Sequence, residues 1–261
     1  MSRGTWIGTG WKMNKNLAET EDYAAKLIAF LLQGTVKKLN IFIVPPFTVL
    51  RSLCDLMKGT DVMVGAQNMH WELQGAFTGE ISPLMIMDCG AQLVELGHSE
   101  RRAYFGETDY TVNKKVLSAL KVGLRPLICV GEPTQEKERG TTGEFVLRQV
   151  RIALHRVSKN QISNVLLAYE PVWAIGDQGI PAEPQYANRI HQLIRELLIE
   201  LYDGETAVNV PILYGGSVDH DNARVFIDEP EIDGLFVGRA AWQAESFIQL
   251  LDLISEFINS S

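Results

Sequence analysis

Eight short apolar runs, separated by stretches of helical periodicity, punctuate this chain along its length. They are Trp6–Gly8, Asn40–Val44, Val62–Ala66, Leu93–Leu96, Pro126–Val130, Val165–Tyr169, Pro211–Tyr214 and Gly234–Val237. Continuous apolar runs suit strands buried on both faces, as in a parallel sheet covered by helices. The helical patterns are clearest at Leu17–Leu32, Val112–Val122, Glu144–Val157, Pro184–Tyr202 and Glu245–Ile258. In the fourth of these, Leu193, Leu197, Leu198 and Leu201 recur at helical spacing. Eight strand-plus-helix units in 261 residues match the size of a (β/α)8 barrel, so the chain is expected to be α/β and one domain over 1–261. A doubly wound open sheet would alternate in the same way. The count of eight, with no linker, charge block or repeat to break the chain, favours closure.

In barrels of this kind the chemistry gathers at the carboxyl ends of the strands. The run Val165–Tyr169 stops there at a carboxylate, Glu170, and Pro171 ends its ladder. A loop with Gly176 and Gly179 follows, which makes Glu170 a candidate general base beneath a lid. The other strand ends offer Lys12, Pro45-Pro46, Gln67-Asn68, His98-Ser99-Glu100, Gly131-Glu132, Gly215-Gly216-Ser217 and Gly238-Arg239. One ammonium, one imidazole, one carboxylate and two glycine turns on one face are what isomerising a phosphorylated carbonyl compound requires. Glu170 would take the proton from carbon, and His98 would donate to the enediolate oxygens. Ser99-Glu100-Arg101-Arg102 reads as the first turn of a helix, whose amino end disfavours imidazolium at His98. Taken singly, each has an ordinary reading: a solvated Glu, a core His, a surface Lys.

Glycines let backbone N–H groups approach an anion closely. Gly215, Gly216 and Ser217 ahead of a short helix, Gly238 after the last strand and Gly176 in the lid are therefore the phosphate candidates. The net charge of −8 argues against nucleic acid or an anionic membrane as partner, yet leaves room for a small anion held by local cations and amides. Cys54, Cys89 and Cys129 are widely spaced and odd in number, which fits reduced thiols. Met1-Ser2-Arg3-Gly4-Thr5 lacks the apolar core of a signal peptide, and no apolar run nears membrane length, so a cytoplasmic protein is expected. Gly8-Thr9-Gly10 hints at a dinucleotide fingerprint, but Met13 stands where a third small residue is needed. The five histidines (70, 98, 155, 191 and 220) show no paired ligand spacing. Neither cofactor nor metal is expected.

Five motifs carry a family resemblance. Gly10-Trp11-Lys12-Met13-Asn14, Leu96-Gly97-His98-Ser99-Glu100-Arg101-Arg102, Cys129-Val130-Gly131-Glu132, Tyr169-Glu170-Pro171-Val172-Trp173-Ala174-Ile175-Gly176 and Tyr214-Gly215-Gly216-Ser217-Val218 resemble those of triosephosphate isomerases, in order and spacing. The resemblance spans nearly the whole chain. It implies a TIM barrel, with Lys12, His98 and Glu170 as catalytic residues, a neutral imidazole electrophile and a closing loop. It also implies that Glu100 supports the site. From Gln67 to Ser82 runs a long aperiodic segment, and its Gly75-Ala76-Phe77-Thr78-Gly79-Glu80 resembles the family loop that docks into a second subunit. By that resemblance Thr78 reaches the neighbour's active site and the protein is a homodimer.

Three departures bear on the substrate. Gly10 stands where the family has Asn, Gly238-Arg239 where it has Gly-Gly, and Gly176-Asp177-Gln178-Gly179-Ile180-Pro181 where the lid reads Gly-Thr-Gly-Lys. Losing the Asn side chain frees space beside Lys12, and Arg239 adds a five-donor cation near the phosphate turn or near an added hydroxyl. Together with Gln67-Asn68-Met69-His70-Trp71 and Gly234-Leu235-Phe236-Val237-Gly238-Arg239, this pattern is similar to the family branch acting on L-erythrulose 1-phosphate, in erythritol catabolism. That ketose is dihydroxyacetone phosphate with a hydroxymethyl group replacing one hydrogen, and the same enediol shift yields D-erythrulose 4-phosphate. The substrate is thus expected to be a phosphorylated three- or four-carbon sugar. The alternatives are a triosephosphate isomerase and a barrel that binds sugar phosphates without turning them over.

Overall fold

The computed structural model describes residues 4–34, 36, 38–176 and 179–260. Met1, Ser2 and Arg3 of the expected leaderless start, and Asp177 and Gln178 of the expected lid, lie outside the described residues.

Eight parallel strands form a closed barrel: β1 (Thr5–Gly10), β2 (Leu39–Val44), β3 (Met63–Ala66), β4 (Leu93–Leu96), β5 (Arg125–Val130), β6 (Leu166–Tyr169), β7 (Ile212–Tyr214) and β8 (Gly234–Val237). Closure is made by β1 against β8, with Trp6 opposite Gly234 and Thr9 opposite Val237. An open sheet would leave those two edges unpaired, so the doubly wound alternative is excluded. β1 runs two residues past its apolar core, because Thr9 and Gly10 stay in register with Ile43 and Val44.

Each strand contributes to two cores. One set of side chains points inward, where Trp6, Phe42, Leu93, Leu127, Leu166, Leu213 and Phe236 fill the barrel. The alternate set (Ile7, Ile43, Val94, Leu96, Ile128 and Leu167) packs outward against the helices. Strands buried on both faces read as apolar runs for this reason. Gly8 is required inside: a Cβ there would stand 2.1 Å from the Phe42 ring.

The helices start where local chemistry caps them. Asn16 and Glu19 form a reciprocal capping box at Leu17–Leu31, and Thr108 with Thr111 does the same at Asp109–Val122. Pro184 opens the helix Pro184–Leu201, where its missing N–H costs nothing. Two further helices, Phe47–Leu56 and Pro83–Asp88, complete connections for which the periodicity was weak. Residues 67–82 form the irregular excursion expected of them, with His70 stacked on Trp71 and tilted against Phe77, the ring centroids 4.2 Å apart in each pair.

Candidate active site

A cavity of about 630 Å³ opens at the carboxyl ends of the strands. Gly10, Lys12, His98, Glu100, Glu170, Gly176, Gly215, Gly216, Ser217, Gly238 and Arg239 all line it. Every site residue expected from the sequence is therefore brought together, except Thr78, which lies exposed on the long loop outside the cavity lining.

Lys12 follows β1 with φ +52°, a left-handed conformation that strains a residue with a Cβ. Neighbouring groups hold it there. Gln67 Nε2 donates to the Lys12 carbonyl at 2.8 Å and to Val44 O at 3.1 Å, and Asn14 Nδ2 donates to Trp11 O at 2.8 Å. The ammonium then meets Glu100 Oε1 at 2.7 Å. This half-exposed pair holds the lysine toward the cavity and adds little stability of its own.

His98 caps the short helix Ser99–Tyr104, as the motif suggested. Its Nδ1 accepts the N–H of Glu100 at 3.2 Å, which leaves Nε2 as the ring nitrogen turned toward the cavity to donate. The turn beneath is braced on both sides. Gly97, at φ +79°, donates its N–H to Glu107 Oε2 at 3.0 Å, and Arg102 Nε donates to Gly97 O at 2.6 Å while Nη1 reaches Asp109 at 2.6 Å. Glu107 is itself paired with Lys115 in the protein interior. Removing Lys115 would leave the buried Glu107 charge with no ion-pair partner among the described residues nearer than Arg101 at 4.0 Å.

Glu170 enters from β6, its N–H given to Val130 O at 2.7 Å. The residue is only 4 % exposed, and its Oε2 has no hydrogen-bond partner among the described residues. That oxygen lies 3.9 Å from His98 Nε2. A buried, unpartnered carboxylate oxygen aimed at a donor-bearing ring is poised to accept a proton from something placed between them. Gly215 makes the position possible: a Cβ there would stand 2.7 Å from Glu170 Cγ.

The loop after Glu170 is anchored at its start. Trp173 Nε1 donates to Glu132 Oε1 at 2.7 Å, and the Tyr169 and Tyr186 hydroxyls reach the same carboxylate at 3.1 and 3.2 Å. Ser217 Oγ donates to Ala174 O at 2.8 Å, tying the glycine turn after β7 to this loop. The helix beyond that turn begins only at Ala223, so the amides of residues 215–217 belong to an irregular turn and not to a helix start. Gly238 leads directly into the short 3-10 turn Arg239–Ala241.

Glu95, Phe236 and Trp242 are among the lining residues to which the sequence assigned no part in the site. Trp242 Nε1 donates to Gly10 O at 2.9 Å. Glu95 points inward from β4, 6 % exposed, with Cys129 Sγ 3.8 Å from its Oε1. Burial pushes the Glu95 carboxyl up to about 7; the nearby Glu170 and Glu100 charges add to the rise, while His98 and Lys12 oppose it. A lone Glu inside an apolar four-residue strand was the available signal.

Comparison with known proteins agrees with this geometry. The family model described as triosephosphate isomerase matches residues 5–254. A protein of Mesorhizobium japonicum named L-erythrulose-1-phosphate isomerase is 49% identical over 255 residues, covering 97% of this chain and 98% of that one. One of the same name from Rhizobium rhizogenes is 49% identical, covering 94% of this chain and 93% of that one. Another, from Rhizobium meliloti, is 47% identical and covers 98% of each.

Proposed function

Because this chain belongs to the triosephosphate isomerase family and is an isomerase, we propose that it interconverts L-erythrulose 1-phosphate and D-erythrulose 4-phosphate through an enediolate. The observation that carries the substrate choice is 47–49% identity, over nearly the full length of each partner, to proteins of that name. Gly10 supports it: it lines the cavity beside Phe236 and Glu95, where any side chain would take up the space against the Phe236 ring, 3.0 Å from a Cβ at that position.

Glu170 removes the proton from the carbon that bears the hydroxymethyl group, next to the carbonyl. His98 Nε2–H stabilises the negative charge that develops on the two oxygens, and Lys12 adds its ammonium to the same charge. The hydroxyl proton passes through the His98 imidazole to the former carbonyl oxygen, the carboxylic acid of Glu170 returns its proton to the neighbouring carbon, and the carbonyl has moved by one position. Glu100 holds Lys12 in place through the 2.7 Å ion pair. Phosphate is bound by the amides of Gly176, Gly215, Gly216, Ser217 and Gly238, with Arg239 beside the last turn. A single sequence of chemical steps serves a triose or a tetrulose, so only kinetics separate them. The specificity constant for L-erythrulose 1-phosphate is expected to exceed that for dihydroxyacetone phosphate; the reverse order makes the chain a triosephosphate isomerase. Binding without proton exchange at substrate carbon would leave only a sugar-phosphate-binding barrel.

The same reading extends to one barrel domain over 1–261, a homodimer formed through residues 67–82, with Thr78 in the partner's site, and a cytoplasmic role in erythritol catabolism. Phe77, 44% exposed at the loop tip, supports the dimer, as three free cysteines support a reducing compartment. No described helix is long and apolar enough to cross a membrane. Sedimentation of wild type against Phe77→Asp tests the dimer: an unchanged sedimentation coefficient would place the contact elsewhere.

A further inference from the structure

The cavity contains a carboxyl group that the chemistry above leaves idle. Glu95 sits in the inward-facing layer of the barrel, on the same strand that leads to His98. Its Oε1 faces Cys129 Sγ, a weak thiol donor, while its Oε2 is 3.8 Å from the point where a Cβ on Gly10 would stand. The Phe236 ring edge lies 3.0 Å from that same point. Gly10, Glu95 and Phe236 therefore bound a recess in the cavity with one apolar wall and one carboxyl wall.

A recess of this kind has a definite chemical complement. Burying a carboxyl in a barrel interior is costly unless it is hydrogen-bonded, and a thiol at 3.8 Å compensates it poorly. A small substituent carrying a hydroxyl satisfies both walls: its CH2 lies against Phe236 and its O–H pairs with the carboxyl. A four-carbon ketose phosphate has such a substituent on its reacting carbon, where a triose phosphate has hydrogen. The reacting carbon must lie against Glu170, which lines the same cavity as Glu95, Gly10 and Phe236, and the hydroxymethyl group is bonded directly to that carbon.

We propose that Glu95 is a specificity-determining residue: its carboxyl hydrogen-bonds the hydroxymethyl group that distinguishes a tetrulose phosphate from a triose phosphate. This deepens the substrate reading given above and rests on it. With its acidity shifted to about 7 by burial, the carboxyl is able to donate or accept near neutrality, so it can follow the hydroxyl through the reaction. Phosphate binding and proton transfer remain with the residues already described.

The test compares wild type, Glu95→Leu and Glu95→Gln on L-erythrulose 1-phosphate and on dihydroxyacetone phosphate. Glu95→Leu removes the hydrogen-bonding wall and keeps the volume. Its ratio of specificity constants, four-carbon over three-carbon, is expected to fall by about 10–100-fold, the range for a lost hydrogen bond to a charged group. Glu95→Gln, which retains an acceptor and two donors, is expected to stay within about tenfold of the wild-type ratio. A folding defect lowers both activities together and leaves the ratio unmoved. Should wild type favour the tetrulose while both variants lose equally on both substrates, this inference fails and the substrate reading stands. Should wild type itself favour the triose, both fall.

Discussion

Replacing Glu95 by Gln removes one titration from the barrel interior with almost no change of shape, so its consequence for stability can be worked out. Burial, with Glu170 and Glu100 nearby and His98 and Lys12 opposing, carries this carboxyl from 4.5 up to about 7. A folded-state value raised above the unfolded one means stability that is complete below about pH 4.5 and is lost as the pH climbs through about 7. The rise from 4.5 to about 7 spans roughly 2.5 pH units, and at about 1.36 kcal/mol each the full loss is about 3 kcal/mol. Between about pH 5 and about pH 8, about 2.5 kcal/mol of this is traversed. For a chain of this size about 1 kcal/mol moves the melting midpoint by about 2–4 °C. The Tm of wild type minus that of Glu95→Gln is therefore expected to drop by about 5–10 °C across that interval. Thermal melts followed by circular dichroism, at one protein concentration because association also shifts Tm, measure it. Lys12, His98, Glu100 and Glu170 are present in both proteins, so their own titrations largely cancel in the difference. Parallel Tm curves would show that Glu95 titrates like an ordinary carboxyl and that the burial argument is wrong.

The remaining predictions concern the reacting groups and the room around them. Glu170→Gln is expected to lower kcat by about 10²–10⁴-fold and to stop deuterium entering substrate from D2O, observed by NMR; continued exchange would assign the base elsewhere. Gly215→Ala puts a methyl 2.7 Å from Glu170 Cγ and 2.9 Å from Oε1, so the carboxylate has to move. Its kcat is expected to fall by about 10²-fold, the effect of a displacement near 1 Å, and an unchanged kcat would show that Glu170 works from another position. Gly10→Asn presses on Phe236, already 3.0 Å from a Cβ at that site, and fills the space toward Glu95. The specificity constant for L-erythrulose 1-phosphate is expected to fall more than that for dihydroxyacetone phosphate, while equal losses remove Gly10 as a determinant of size.

What could be read without coordinates follows from how many times a pattern is sampled and how rare its residues are. The eight strands announce themselves because each is apolar on both faces, and the longer helices because their period repeats over several turns. Phe47–Leu56 and Pro83–Asp88 are ten and six residues long, which samples a 3.6-residue period too briefly to stand out. Lys12, His98 and Glu170 were legible as neighbours in one cavity because ionisable side chains at the carboxyl ends of strands are few. Glu95 was hidden by its neighbours: between Val94 and Leu96 it reads as part of an apolar run, and its inward direction follows only once the barrel closes. Gly10 was legible as a loss, an Asn side chain missing beside the lysine. In three dimensions that loss meets a gain. The strand that gives up an amide at Gly10 faces, 3.8 Å from the missing Cβ, the carboxyl supplied by β4. Room and polarity therefore arrive at the same point of the cavity from two strands far apart in sequence. A longer substrate needs both together, because space alone would strand its hydroxyl without a partner and a carboxyl alone would crowd the wall.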